Sequence, residues 1–294
     1  MEYQISCGNS IAKVNSLGGE LISYSNNGLD YIWLGSSESW GGHSPVLFPT
    51  VGSLKNWETE INGKVYPIKK HGFARKSEFE LLKQETNSIS FSLKSSEETK
   101  AGYPFDFDLI VKHTVFENGF KTEFKVINQD NKDILFGIGG HPGFICPLYD
   151  NTEFSDYYIE FNETENGPFY YTKPSDFEGV IHREDRITSL NDLKKLSLDY
   201  SMFDKDVIIL EKLNSKSIKL LNTKNEKGIE LRMQGFHSMG IWTSPLKKAR
   251  FICLEPWTVT PDFSDHNSKF EDKPNITKLS PNNDFCVSYE MKIL

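Results

Sequence analysis

Three short segments hold the residues best suited to proton transfer. His141 lies in GIGGHPGF (137–144), between glycines and a proline, just after the apolar run KDILF. Glu255 ends a second apolar run, FICLEPW (251–257), and is followed by Pro256 and Trp257. His71 and Arg75 share KHGFAR (70–75). An imidazole and a carboxyl group, with ordinary pKa values of about 6.5 and 4.3, can serve as an acid–base pair in which one donates while the other accepts. Trp257 offers a flat apolar face of the kind that receives the C–H face of a sugar ring. The glycines and proline around His141 bare the backbone and fix its direction, which suits an imidazole presented to a ligand. Each residue also has a plain structural reading. His141 and Glu255 could be hydrogen-bonding groups at strand ends, Arg75 a partner of Glu78 or Glu80, and Trp257 part of the core.

The elements that must position these residues read as strands. Residues 105–127 alternate apolar and polar on both sides of Asn118-Gly119, and ETEINGKVYPI does the same around Asn62-Gly63. Both dipeptides predict tight type I′ hairpins. Further strands are predicted at 88–94, 157–162, 206–213, 217–222, 228–233 and 285–293. Helical periodicity is weak, with Leu190–Leu196 the best short helix. More than a dozen strands without a βαβ rhythm predict an all-β protein, a large antiparallel β-sandwich with few short helices. No low-complexity linker or fixed-period repeat divides the chain, so one domain over 1–294 is expected.

Composition narrows the function. The chain has 294 residues and a net charge of −8, and only five of its 33 basic residues are Arg. No basic stripe interrupts the acidic background, which argues against a nucleic-acid partner. Cys7, Cys146, Cys253 and Cys286 form no CxxC pair, so neither zinc binding through cysteines nor a disulfide scaffold is expected. MEYQISCGNS lacks a secretory pattern, and no apolar run reaches membrane length. A cytoplasmic protein with no membrane association is the expectation.

HGFAR, YPFDF (103–107), GGHPGF, GIW and LEPW, in this order, resemble the aldose 1-epimerase (galactose mutarotase-like) superfamily, and most closely its LacX-type branch. The resemblance runs from about Leu47 to about Trp257, with His141 and Glu255 lying 114 residues apart, from position 141 to position 255. It implies the galactose mutarotase-type supersandwich and interconversion of the α and β anomers of an aldose, galactose or glucose foremost. It also implies catalytic roles for His141, the acid toward the ring oxygen, and Glu255, the base toward the anomeric hydroxyl. His71, Arg75 and Asp206 (or Asp204) would bind substrate, beside Trp257. The chemistry requires no metal, nucleotide or other cofactor. Glu255, once sugar is bound, is expected to raise the pKa of His141. Many relatives carry an Arg where this chain has Ser53, and Lys55 is a partial substitute lacking the planar fork.

Other readings remain open at this level. One is a non-catalytic sugar-binding module on the same fold, and another a hexose-phosphate mutarotase. A glycoside hydrolase normally needs two carboxylates, and a metal enzyme could use His71, His141 and Glu255 together. His43, His113, His182, His237 and His266 fall in no such motif and read as surface or supporting groups, and Asp262 to Asp265 read as a solvated loop.

Overall fold

The computed structural model describes residues 1–172, 179–244 and 248–294. Two large sheets dominate. One has nine strands in the order Leu193–Ser197, Tyr157–Glu165, Ser217–Asn222, Gly228–Gln234, Asp284–Ile293, Gly119–Asn128, Phe107–Phe116, Ser88–Lys94 and Glu80–Gln84. The other runs Ile181–Arg186, Phe169–Thr172, Ile208–Leu210, Ser238–Trp242, Phe251–Trp257, Gly139–Gly140 and Val46–Leu47, with Gly143–Ile145 also paired to Phe251–Trp257. Neighbouring strands in both sheets are antiparallel. A four-stranded amino-terminal sheet spans Glu2–Cys7, Ser10–Asn15, Glu20–Asn26 and Leu29–Asp30.

Period-2 alternation builds the packing between the sheets. Along Phe107–Phe116 every second residue, from Phe107 through Leu109 and Val111 to Val115, is buried. Phe48, just beyond Val46–Leu47, meets Phe107 across the interface with ring centroids 5.0 Å apart. The remaining inward position is His113, which is core rather than surface. Its two ring nitrogens bond the Thr122 hydroxyl and the Gly19 carbonyl at 3.0 and 2.9 Å. Burial lowers its pKa to about 4, so the ring is neutral.

Three local expectations are settled by geometry. Asn62 and Gly63 both adopt positive φ, as a type I′ turn requires. The second hairpin differs. Phe116 pairs directly with Gly119, so the two-residue loop is Glu117-Asn118, and neither carries a positive φ. Gly119 serves close packing instead, since a Cβ there would lie 2.0 Å from the Met291 carbonyl oxygen. The helix expected at Leu190–Leu196 is absent. Asp192 has a φ of 49°, and Leu193–Ser197 pairs with Tyr157–Glu165 as an edge strand.

Candidate active site

The site opens where one strand of the second sheet is interrupted. Gly139 pairs with Trp257, and pairing resumes at Gly143 opposite Cys253. Between these points His141 and Pro142 face the Leu254–Pro256 stretch of the central strand. Pro142 and Pro256 have no N–H to donate, and both fall in this gap, where the ladder is already broken. Alternation sends Phe251, Cys253, Glu255 and Trp257 to the same face of their strand. The interruption therefore sets an imidazole opposite a carboxyl group. His141 Nε2 lies 3.3 Å from Glu255 Oε2.

A cavity of about 200 Å³ surrounds the pair, with His71, Arg75, Asp206 and Trp257 all in its wall. Lys70, Trp40, Trp242 and Thr172 complete its polar and aromatic lining. Trp40 stacks on His141 at 4.9 Å, and Trp242 meets the same ring edge-on at 6.1 Å. The glycine of the HPG turn makes room for this stack, because a Cβ on Gly143 would lie 2.7 Å from the Trp40 ring. His71 is held by a reciprocal pair. Its backbone N–H donates to the Gly52 carbonyl, and the Gly52 N–H donates to its Nδ1. That bond leaves Nε2 as the protonated nitrogen of the neutral ring. His71 and Asp206 both have left-handed backbones, with φ of 67° and 75°, a strain that recurs at binding sites. The Thr172 hydroxyl donates to Asp206.

Burial controls the protonation. It raises the Glu255 pKa well above the ordinary carboxylate range; Lys70 opposes the rise and Asp206 adds to it. The Trp257 indole N–H also lowers it, although that N–H lies outside full hydrogen-bond geometry. Burial lowers His141 to about 3, with Lys70 and Arg75 contributing in the same direction. His71 is held neutral by burial, then by His141 and the same two cations. In the free site, Glu255 therefore holds the proton and both imidazoles are neutral. The carboxylate does not lift His141 here, because both groups share one desolvated pocket.

The aldose 1-epimerase family model matches residues 1–277. The chain belongs to the aldose 1-epimerase family. It is 36% identical to the plasmid-encoded protein LacX of Lactococcus lactis subsp. lactis over 286 residues, 95% of both chains. The structure of a galactose mutarotase related enzyme from Lactobacillus acidophilus superposes with a TM-score of 0.92 at 30% identity, covering 100% of this chain and 97% of that one. A galactose mutarotase-like protein from Lactobacillus casei superposes at 0.89, with 26% identity and 100% of both chains covered. The fold is thus of the galactose mutarotase type.

Within this aldose 1-epimerase fold, several sequence expectations need adjusting. Asp206, not Asp204, reaches the cavity; Asp204 is exposed after the Tyr200–Phe203 turn. Trp257 is 2% exposed, wedged against Gly139 and Gly240, so the half-buried faces on the wall belong to Trp40 and Trp242. Lys55 does not replace the missing Arg. Its ammonium donates to the His266 carbonyl, and the cavity's cations are Lys70 and Arg75. Arg75 pairs with neither Glu78 nor Glu80, and its guanidinium donates to the Lys70 carbonyl. Asp262 is 1% exposed rather than solvated, with only Asp265 of that stretch in water. Asp262 pairs with buried Lys273, accepts from the Lys55 N–H, and donates its own N–H to the Ser53 carbonyl. This braces the loop that carries Gly52 under His71. Trp40 and Lys70 escaped the sequence reading because neither stands at a strand end. Trp242 was visible only as the last residue of GIW.

Proposed function

We propose that the protein is a mutarotase whose acid–base pair is His141 and Glu255, acting on an aldose such as galactose or glucose. The observation that carries this reading is the 3.3 Å approach of the two groups inside a cavity walled by indole rings. Anomer exchange needs O1 to lose a proton while the ring oxygen gains one, and these oxygens share a single carbon. Two titratable groups this close can address both. Glu255 takes the O1 proton, His141 supplies the ring-oxygen proton, and rotation about C1–C2 in the open chain precedes closure with the roles exchanged. Each positioned group contributes about 10²–10⁴ in rate. The free site's arrangement, a protonated carboxyl beside a neutral imidazole, is the one that follows ring opening. Pyranose binding must therefore move that proton to His141, a shift in which Lys70 favours the Glu255 carboxylate and opposes the charged imidazole. His71, Arg75, Asp206 and Trp257 bind the sugar in this reading.

Magnetisation-exchange NMR on several aldoses tests it. Glu255→Gln and His141→Asn, checked for native folding, should each lose at least 100-fold of the catalysed exchange, while His237→Asn retains it. Sugar binding with exchange left at the buffer rate would instead identify a non-catalytic binding protein. A second reading, an anionic sugar such as a hexose phosphate, is favoured by one observation. Among the described residues neither Lys70 nor Arg75 has a carboxylate within ion-pair distance, and the Arg75 Nε has no partner. Comparing kcat/KM for a hexose and its phosphate, with Arg75→Ala alongside, separates the two.

A further inference from the structure

We propose that His141, Cys253 and Glu255 form an inhibitory site for a thiophilic divalent cation, best matched by zinc. Cys253 takes no part in the proton transfers above, yet it stands two residues before Glu255 on the same strand face. One donor atom from each of the three side chains lies within 4.8 Å of the other two. Atoms so placed share a point no more than about 2.8 Å from each, 4.8 Å divided by √3. Zinc bonds of roughly 2.3 Å to sulfur and 2.0–2.2 Å to nitrogen and oxygen then need side-chain movements of no more than about 0.5–0.8 Å. The His141–Glu255 edge, at 3.3 Å, already has tetrahedral spacing.

A further observation points to a ligand. Glu255 is 2% exposed, and its Oε2 has no hydrogen-bond partner. The donor set is one sulfur, one nitrogen and one carboxylate oxygen, which selects zinc over magnesium or calcium. Three protein ligands leave the fourth tetrahedral position facing the cavity. Binding releases two protons, one from the thiol and one from the His141–Glu255 pair, and two anionic donors then balance the dication. Among the described residues no other His, Cys, Asp or Glu group converges in this way. His71 is not a member, so the two-histidine metal set considered from sequence does not form. A cation here occupies the lone pairs that mutarotation requires, so metal and catalysis exclude each other. That exclusion, unlike the site itself, rests on the mutarotase reading.

Cobalt(II) titration followed by absorption spectroscopy tests the site without reference to activity. One equivalent should produce a thiolate-to-cobalt charge-transfer band. The band should vanish in Cys253→Ser and persist in the Cys7→Ser/Cys286→Ser variant, which removes the two thiols not fully buried. In the exchange assay, zinc should inhibit the wild type, and Cys253→Ser should weaken that inhibition at least tenfold with the metal-free rate unchanged. Absence of the band in wild type, or its survival in Cys253→Ser, overturns the site. If Cys253→Ser does not fold, loss of the band in Cys7→Ser/Cys286→Ser overturns it equally. A cobalt band with exchange unaffected by zinc overturns the inhibitory role. If no aldose is exchanged under any condition, the mutarotase reading fails while the spectrum still decides the metal site.

Discussion

Replacing Asp262 by Asn should destabilise the protein severely, although the change removes only a charge. The Lys273 ammonium has Asp262 as its counter-charge at 2.5 Å, and both side chains are 1% exposed. Burial alone already lowers the Lys273 pKa, with Asp262 opposing the shift. Removing one partner of such a pair costs about 3–5 kcal/mol, and no solvent screening reduces the figure here. Asn also offers one carbonyl oxygen where the carboxylate serves both Lys273 and the Lys55 amide. The loss of one of these bonds adds roughly 1 kcal/mol. Urea unfolding of wild type, Asp262→Leu, Lys273→Met and Asp262→Leu/Lys273→Met closes the cycle, with Asp262→Asn measured beside them. The double variant, which leaves no uncompensated charge, should recover most of the stability. A loss below about 1 kcal/mol in Asp262→Asn, or a double variant no better than the singles, refutes the reasoning. Because the Asp262 carboxylate holds the Lys55 amide, and the same loop carries Gly52, which bonds His71, KM should also rise in any folded Asp262→Asn protein.

Stability should fall as pH drops from about 6.5 to 4, because unfolded His113 binds a proton that the buried ring refuses. The separation between 6.5 and about 4 is worth about 3 kcal/mol at full protonation. A flatter pH dependence of unfolding in His113→Gln checks this. Mutarotation in the proposed mechanism needs one proton on the His141–Glu255 pair. With His141 lowered to about 3 and Glu255 raised, the kcat/KM profile should keep its acid limb well below the usual histidine range. An acid limb at about 6.5 contradicts that. Trp40→Ala should lower exchange by roughly tenfold by freeing the His141 ring, with Trp40→Phe restoring most of it, since aromatic pairs contribute about 0.5–1.5 kcal/mol. Gly72→Ala should abolish soluble expression or cost more than about 3 kcal/mol in urea unfolding. Its φ is 71°, and a Cβ there would lie 2.1 Å from the Phe48 carbonyl oxygen.

Much of the scaffold was legible because it follows from alternation. Ser88–Lys94 and Ser217–Asn222 match their predicted limits at both ends, since each is an interior strand with a partner on either side. Leu193–Ser197 was misread because a seven-residue apolar spacing cannot distinguish a helical turn from an edge strand, and pairing with a distant segment decided it. The six candidate residues stand at strand ends or in glycine-flanked turns, where local sequence announces an exposed backbone. Trp40 and Lys70 reach the cavity through tertiary placement, which leaves no periodic trace. The Asp262–Lys273 pair was misjudged for a related reason. A run of polar residues looks the same whether it is hydrated or folded inward against a buried lysine.

The broken strand at His141 and Pro142 has a consequence for how such a protein can change. Backbone ladders flank the gap on both sides, so the distance between imidazole and carboxyl is fixed by the sheet's register. Deleting one residue between 251 and 254 would turn Glu255 to the opposite face and end any reaction at once. The groups that frame the substrate arrive separately, Trp40 and Lys70 on connecting segments and Asp206 at the mouth of a short strand. Grafting those segments from one relative to another should therefore alter which sugar is accepted while leaving the proton-transfer geometry intact.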